Sequence, residues 1–228
     1  MNETLLTALA LIPALVFAIV FHEVAHGYVA RLLGDSTASE QGRLTLNPLR
    51  HVDPIGTVVL PAILALIKAP VFGWARPVPV NKWRLRNPRF GMMAVAAAGP
   101  GSNLVLAAVG AIMLGLLARY LVTPTGQAVA LVALSLNYFI MVNVFLAFFN
   151  LLPVPPFDGS HIIEGMLPRG AARQFNRLRP IGLPLVFLLL LIIPSLFPQA
   201  NIIERLVLPP VEWISGHYMA LARLVADA

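Results

Sequence analysis

The residues best suited to chemistry lie near the start of the chain. His22-Glu23-Val24-Ala25-His26 has H-E-x-x-H spacing. On an α-helix, four residues advance about 6 Å and turn about 400°, which leaves the two imidazoles about 40° apart on one face. Imidazoles in that relation can share a metal ion. Glu23 is turned about 100° from His22, beside the metal position and free to act as base on a bound water. The sequence contains no cysteine, so thiolate ligands and disulfides are excluded and any metal must be held by imidazole and carboxylate. A catalytic zinc site needs three protein ligands, so one more imidazole or carboxylate has to come from elsewhere.

Asp158 is a carboxylate placed to supply it. It follows Asn150-Leu151-Leu152-Pro153-Val154-Pro155-Pro156-Phe157, where the prolines exclude regular helix. Irregular backbone at the edge of a membrane is tolerated where it is buried in protein or lines a cavity. The plainer reading of Asp158 is a turn residue before Gly159. Asn103 and Asn150 sit near the ends of apolar stretches, where an amide can hydrogen-bond a substrate carbonyl or a developing oxyanion. Asparagine also serves as glue between membrane helices, and both readings stay open. His51, in Arg50-His51-Val52-Asp53, reads as a loop histidine because Asp53 has a capping role of its own. His161 and His217 have no partners nearby in sequence and read as polar packing or interface residues.

The elements that must position these groups belong in lipid. The chain is 58% hydrophobic and 11% charged, with a mean hydropathy of +0.81, too apolar for an ordinary water-facing surface. No Ser/Gly-rich linker or charge run divides its 228 residues, so they read as a single membrane-embedded domain, 1–228. A net charge of +6 raises nucleic acid as a partner. The basic residues instead border apolar segments without interleaved RNA-type aromatics, and they act in membrane orientation.

Thr4 to His22 is a run of 19 residues without Lys, Arg, Asp or Glu, about the length of a spanning helix, and Gly34 is its natural cap. A signal peptide is the alternative, but Met1-Asn2-Glu3-Thr4 lacks a basic n-region and no cleavage motif follows. Further uncharged stretches, Phe90–Ala118, Tyr120–Phe157 and Pro180–Ile203, supply three more spans. Pro54–Ile67 is uncharged for 14 residues, which suits a re-entrant or tilted interfacial helix, with Asp53 as N-cap and Pro54 at the first helical position. If that segment does not cross, 13 of the 16 Lys and Arg residues fall between Arg31 and Arg89 or between Arg169 and Arg179. Both groups then lie on one face of the membrane, which the positive-inside rule makes cytoplasmic. The same topology brings the inner end of the first span, with His22 and His26, to the depth of Asp158. Ile202–Val225, with Glu212, His217 and Arg223, is left as either a further crossing or an interfacial segment.

A carboxylate near mid-helix in a span costs about 2.5 to 3.5 kcal/mol on insertion scales, which argues against Glu23 as a neutral accident or as part of a plain His/Glu hydrogen-bond network. Three segments together resemble the site-2 protease family of intramembrane zinc metalloproteases. They are Phe21-His22-Glu23-Val24-Ala25-His26-Gly27, Ala98-Gly99-Pro100-Gly101-Ser102-Asn103, and the N-x-x-P-x-P-x-x-D-G run that ends at Gly159. The resemblance implies an all-α polytopic fold with a core of three transmembrane helices, and to this the chain adds a short re-entrant β segment and one or two C-terminal helices. It implies one Zn2+ on His22, His26 and Asp158, Glu23 as catalytic base, and a transmembrane protein or peptide as substrate. The chain looks like a small bacterial or archaeal cell-membrane member without a PDZ or CBS domain, with its site toward the cytoplasm. It departs from the family in having no helix before H-E-x-x-H and a long insertion, Pro48–Ala75, between two expected β segments. An exposed edge at Arg43–Asn47 or Arg76–Val80 is the expected receiver of an unwound substrate. The competing classes are a membrane metal transporter, against which the lack of an internal repeat counts, and a non-catalytic zinc-stabilised scaffold, which has no use for Glu23.

Overall fold

The computed structural model describes residues 3–67, 73–120, 126–197, 199 and 203–228. Three long helices dominate: α1 (Glu3–Leu32), α2 (Pro88–Tyr120) and α3 (Gln127–Asn150). Each is long and apolar enough to cross a membrane. At 1.5 Å per residue they measure about 45, 50 and 36 Å, against a hydrocarbon core of about 30 Å. Among the shorter helices that follow are α4 (Asp158–Met166) and α5 (Leu208–Asp227).

Small residues let the long helices approach. On α1 the buried positions Ala10, Ala14, Ala18, His22, His26 and Ala30 recur every four residues, which makes one stripe on one face. The facing surface of α2 offers Ala96, Gly99, Pro100, Asn103, Ala107 and Gly110. Lipid tails are as apolar as leucine, so helices associate in a bilayer through close packing and shared polar groups. The large side chains Leu9, Ile12 and Phe17 point outward instead. Ala18 lies opposite Asn103 and His26 opposite Val95, so α1 and α2 are antiparallel. Asn103 meets Asn143, and Gly110 meets Phe139 and Ile140, so α2 and α3 are antiparallel too. The histidines therefore continue the alanine stripe into the seam where three helices meet.

The C-terminal segment lies along these spans. Tyr218 Oη donates to the Leu104 carbonyl at 2.9 Å, and Val225 packs at Gly115. Thus α5 runs beside α2 in the same direction, with Val211 and Ala222 in the cluster formed by Ala107, Ala111, Ile140 and Val144. The stretch expected as a fourth span, Pro180–Ile203, is helical from Gly182 to Leu196, with a π-type turn, Leu188–Ile192, joining Gly182–Phe187 to Ile193–Leu196. Pro184 and Pro194 in it lack the donor N–H. Residues 198 and 200–202 of that stretch lie outside the described residues.

The insertion begins as its sequence predicts. The Asp53 carboxylate accepts from the backbone N–H groups of Ile55 and Gly56 at 3.0 and 2.7 Å, Pro54 takes the first position, and helical turns Pro54–Val59 continue as Leu60–Leu66. It folds back on itself: Trp74 N–H donates to Gly56 O, and Arg76 N–H to His51 O.

The expected re-entrant β segment is not present among the described residues, which contain no strand. Arg43–Asn47 and Arg76–Val80 are irregular backbone without a ladder between them. The reason lies in Arg76-Pro77-Val78-Pro79: the prolines have no N–H, Arg76 N–H is spent on His51, and Val78 N–H is spent on a side chain of α1. At the far end of α1, Gly34 adopts φ +110° as a cap, and buried Asp35 accepts from Thr37 and from Asn81 N–H. Burial pushes this carboxyl up, but the hydrogen bonds outweigh it and hold it below the ordinary carboxylate range.

Candidate metal centre

His22 and His26, four residues apart on the buried stripe of α1, place their rings 4.6 Å apart and edge-on. Each ring has a fixed orientation. His22 Nδ1 lies 2.6 Å from Asn103 Oδ1, and His26 Nδ1 lies 2.7 Å from the Val95 carbonyl. Both acceptors are carbonyl oxygens, so each Nδ1 carries the proton and each Nε2 keeps its lone pair. Both Nε2 atoms face Asp158 Oδ2, at 3.1 and 3.3 Å.

Asp158 opens α4, immediately after the turn carrying Pro153, Pro155 and Pro156. Gly159 lets that turn close, because a Cβ there would strike the Leu151 and Leu152 carbonyls at the end of α3. The other end of α4 is tied to the start of α2, where Arg89 donates to the carbonyls of Gly165 and Leu167. Arg179 bonds both His161 and Glu164 on the outer side of the same helix. His161, read from sequence as packing, thus helps hold the helix that carries Asp158.

Ligand atoms of His22, His26 and Asp158 all lie within 4.8 Å of one another. Asp158 Oδ2 is buried and makes no hydrogen bond. A buried carboxylate oxygen without a donor is costly, and a cation between it and the imidazole lone pairs removes that cost. Zinc bonds of about 2.0–2.2 Å in tetrahedral geometry put ligand atoms about 3.3–3.6 Å apart, close to the Nε2–Oδ2 separations of 3.1 and 3.3 Å. The donor set, two imidazoles and one carboxylate with a position left open, therefore fits zinc. Space is reserved for it: a Cβ on Gly99 would sit 2.5 Å from His26 Nε2 and 2.6 Å from His22 Cε1.

Glu23 lies beside this cluster, with its Oε2 accepting from Val78 N–H at 2.8 Å. Gly27, one turn further on, admits the side chains of Leu44 and Val78, which a Cβ would meet at 2.6 and 2.7 Å. Both irregular segments that flank the insertion therefore close on α1 next to Glu23. Leu44–Leu46 has no backbone N–H engaged in a hydrogen bond among the described residues, unlike Arg76–Pro79.

The two asparagines separate. Asn103 is fully buried, and its amide is consumed: the oxygen meets His22, and the nitrogen donates to Ala18 O at 3.1 Å and Asn143 Oδ1 at 2.8 Å. It is placed to orient an imidazole rather than to meet a substrate. Asn150 donates to Leu146 O within α3, outside this network. Asn143 is equally buried, and its one signal in the sequence is an amide amid apolar residues of a span.

Residues 117–193 match the model of peptidase family M50. The chain is 41% identical over 213 residues to "Putative zinc metalloprotease YwhC" of Bacillus subtilis (strain 168), covering 88% of this chain and 92% of that protein. It is 29% identical over 175 residues to "Putative zinc metalloprotease Rip2" of Mycolicibacterium smegmatis (77% of this chain, 63% of the relative). With Rip2 of Mycobacterium tuberculosis strain H37Rv the identity is 32% over 171 residues (75% and 61%). The chain thus spans a little over three fifths of the two mycobacterial proteins. No solved structure gives a significant match. With an H-E-x-x-H helix and a distant aspartate meeting inside a bundle of apolar helices, and a relative matched along most of both chains, the protein belongs to peptidase family M50, the site-2 protease family.

Proposed function

We propose that this family member is an intramembrane zinc metalloprotease that cuts transmembrane proteins or peptides near the cytoplasmic face of a bacterial or archaeal membrane. The observation that carries the reading is the cluster of His22, His26 and the partly buried Asp158 on the seam of spanning helices, with Glu23 one residue along the same helix. His22 and His26 would hold the metal through Nε2 and Asp158 through Oδ2. Bound zinc supplies Lewis acidity and lowers the pKa of a coordinated water to about 7.

The chain's own residues do the rest. Glu23 accepts the proton of the attacking water and passes it to the leaving amine. Asn103 and Val95 hold the imidazoles in the tautomer that faces the metal. A helical substrate hides its carbonyls in its own hydrogen bonds, so it must unwind before attack. Leu44–Leu46, with unengaged backbone N–H groups beside Gly27, is the better receiver for that extended stretch; Arg76–Pro79 has no donor left to offer. The charge distribution supports a cytoplasmic site, with loops 33–53 and 73–87 and the segment 167–181 on the inner face.

The deciding experiment compares membrane fragments from cells carrying wild type or Glu23→Gln. Fragments that disappear in the mutant while the protein retains zinc support the reading, and unchanged fragments with equal purified activity refute the assigned mechanism. Orientation is checked separately with a cysteine at Ser36 or Ala171. Labelling by an impermeant reagent in intact cells would place the site on the wrong side.

A further inference from the structure

Arg43 stands outside the zinc chemistry but close to it. It is 7% exposed, unusual for arginine. One guanidinium nitrogen, Nη2, donates to the Arg76 carbonyl at 2.7 Å and reaches the Pro77 carbonyl at 3.4 Å, while Nε is buried with no partner. Burying a guanidinium with an unspent donor is costly, and salt-bridge compensation is poor here: Arg50 and Arg76 are nearby cations, and the anion that favours its charge is Glu23. Such an arrangement is costly for a mere tie between loops.

Its consequence lies one residue further along. Pro77 and Pro79 fix φ on both sides of Val78 and leave Val78 N–H as the donor between them. That N–H is bound to Glu23 Oε2 at 2.8 Å. With the Arg76 and Pro77 carbonyls held by Arg43, Arg76 N–H by His51 O, and the Val78 side chain seated over Gly27, this amide has little freedom. One Glu23 oxygen is thereby anchored, and the other is left for the water.

We propose that Arg43 is a positioning residue for hydrolysis: it fixes the Arg76–Val78 backbone so that the Val78 amide holds the Glu23 carboxylate in place, without itself touching substrate or metal. The inference rests on the reading of Glu23 as general base. A displacement of about 1 Å in a catalytic group costs about 100-fold in rate, and the loss belongs mainly in kcat because the group displaced, Glu23, acts in the chemical step.

The test uses purified full-length protein in detergent with a transmembrane-segment substrate, and compares wild type, Arg43→Ala, Arg43→Lys and Glu23→Gln. Arg43→Ala is expected to keep a full equivalent of zinc, to lose about 100-fold in kcat and to change KM less than about threefold. Arg43→Lys, which can still donate to one carbonyl, falls between. A second readout needs no turnover: in zinc-loaded Glu23→Gln carrying Val80→Cys, adding Arg43→Ala should speed thiol labelling at position 80, as the segment loosens. If Arg43→Ala loses zinc, the same criteria are applied to Arg43→Lys. A kcat within threefold of wild type, a loss confined to KM, or zinc loss in both variants overturns the proposal. An active Glu23→Gln would instead refute the underlying assignment of the base, whatever Arg43 does.

Discussion

The two halves of the site are held by different kinds of structure. The metal side is a product of regular helices: the stripe of α1 sets the spacing of His22 and His26, and Asn103, Asn143 and the Ala18 and Val95 carbonyls orient them from α2, α3 and α1 itself. The side that carries Glu23, the proposed base, is a product of irregular backbone. Glu23 leaves the same helix but takes its orientation from Val78, in a proline-interrupted segment that reaches α1 after the insertion. A metal site needs ligands at fixed separations, and helices provide that at small entropic cost. A base has to meet a substrate that arrives from outside, and a loop edge can be open to it. Gly99 and Gly27 mark the two halves, each a missing Cβ where something must come close to α1.

Asp158 joins the metal side through a turn rather than a long helix, and its loss should have the largest effect. Asp158→Ala should leave a two-histidine site too weak to retain zinc through purification, with all activity lost and the helices still inserted. Asp158→Asn should fail as well, since a neutral amide is a poor replacement for an anionic ligand. Zinc per folded protein decides it: a full equivalent with activity intact in Asp158→Ala would place the third ligand elsewhere. Glu23→Gln tests the other half. It should abolish cleavage and keep zinc, and loss of both together would mean that the two halves are not separable.

Smaller changes sharpen the distinction. Asn103→Leu removes the acceptor that fixes the His22 tautomer and should weaken zinc affinity or activity by about 10–100-fold, read by competition with a chelator. The glycines form a matched pair. Gly99→Ala drives a methyl into both imidazoles and should lower zinc content. Gly27→Ala meets the more yielding Leu44 and Val78 side chains and should keep zinc at a cost of about 1–3 kcal/mol in stability, measured as thermal midpoint in the zinc-loaded protein. Equal zinc loss in the two would erase the contrast. Smallest of all, Glu40→Ala breaks an exposed pair with Arg84 and should alter neither zinc content nor activity.

Much of the metal side was legible in the residues alone. H-E-x-x-H spacing on an uncharged run determines that the two imidazoles share a face, because helix geometry is local. The caps at Asp53 and Gly34 are equally local, and both formed where the sequence placed them. Composition and run length determined a bundle of apolar helices. Local rules misled where the outcome depended on partners: Arg76–Val80 reads as an extended edge, yet its prolines and the competing acceptors on Glu23 and His51 leave no ladder to form.

Tertiary structure alone decided the rest. The amide of Asn103 was open between substrate and packing until α1 and α3 were seen to consume both its ends. Asn143, Val95 O and Arg43 carry no motif, since a carbonyl acceptor or a buried cation is defined by what is packed against it and not by its neighbours in the chain. The sequence thus determined which groups exist and which of them share a helix face, through the fixed pitch of the backbone. Which nitrogen of each imidazole faces Asp158, and which backbone amide holds Glu23, was settled by contacts between residues 55 to 85 positions apart, whose geometry no local period encodes.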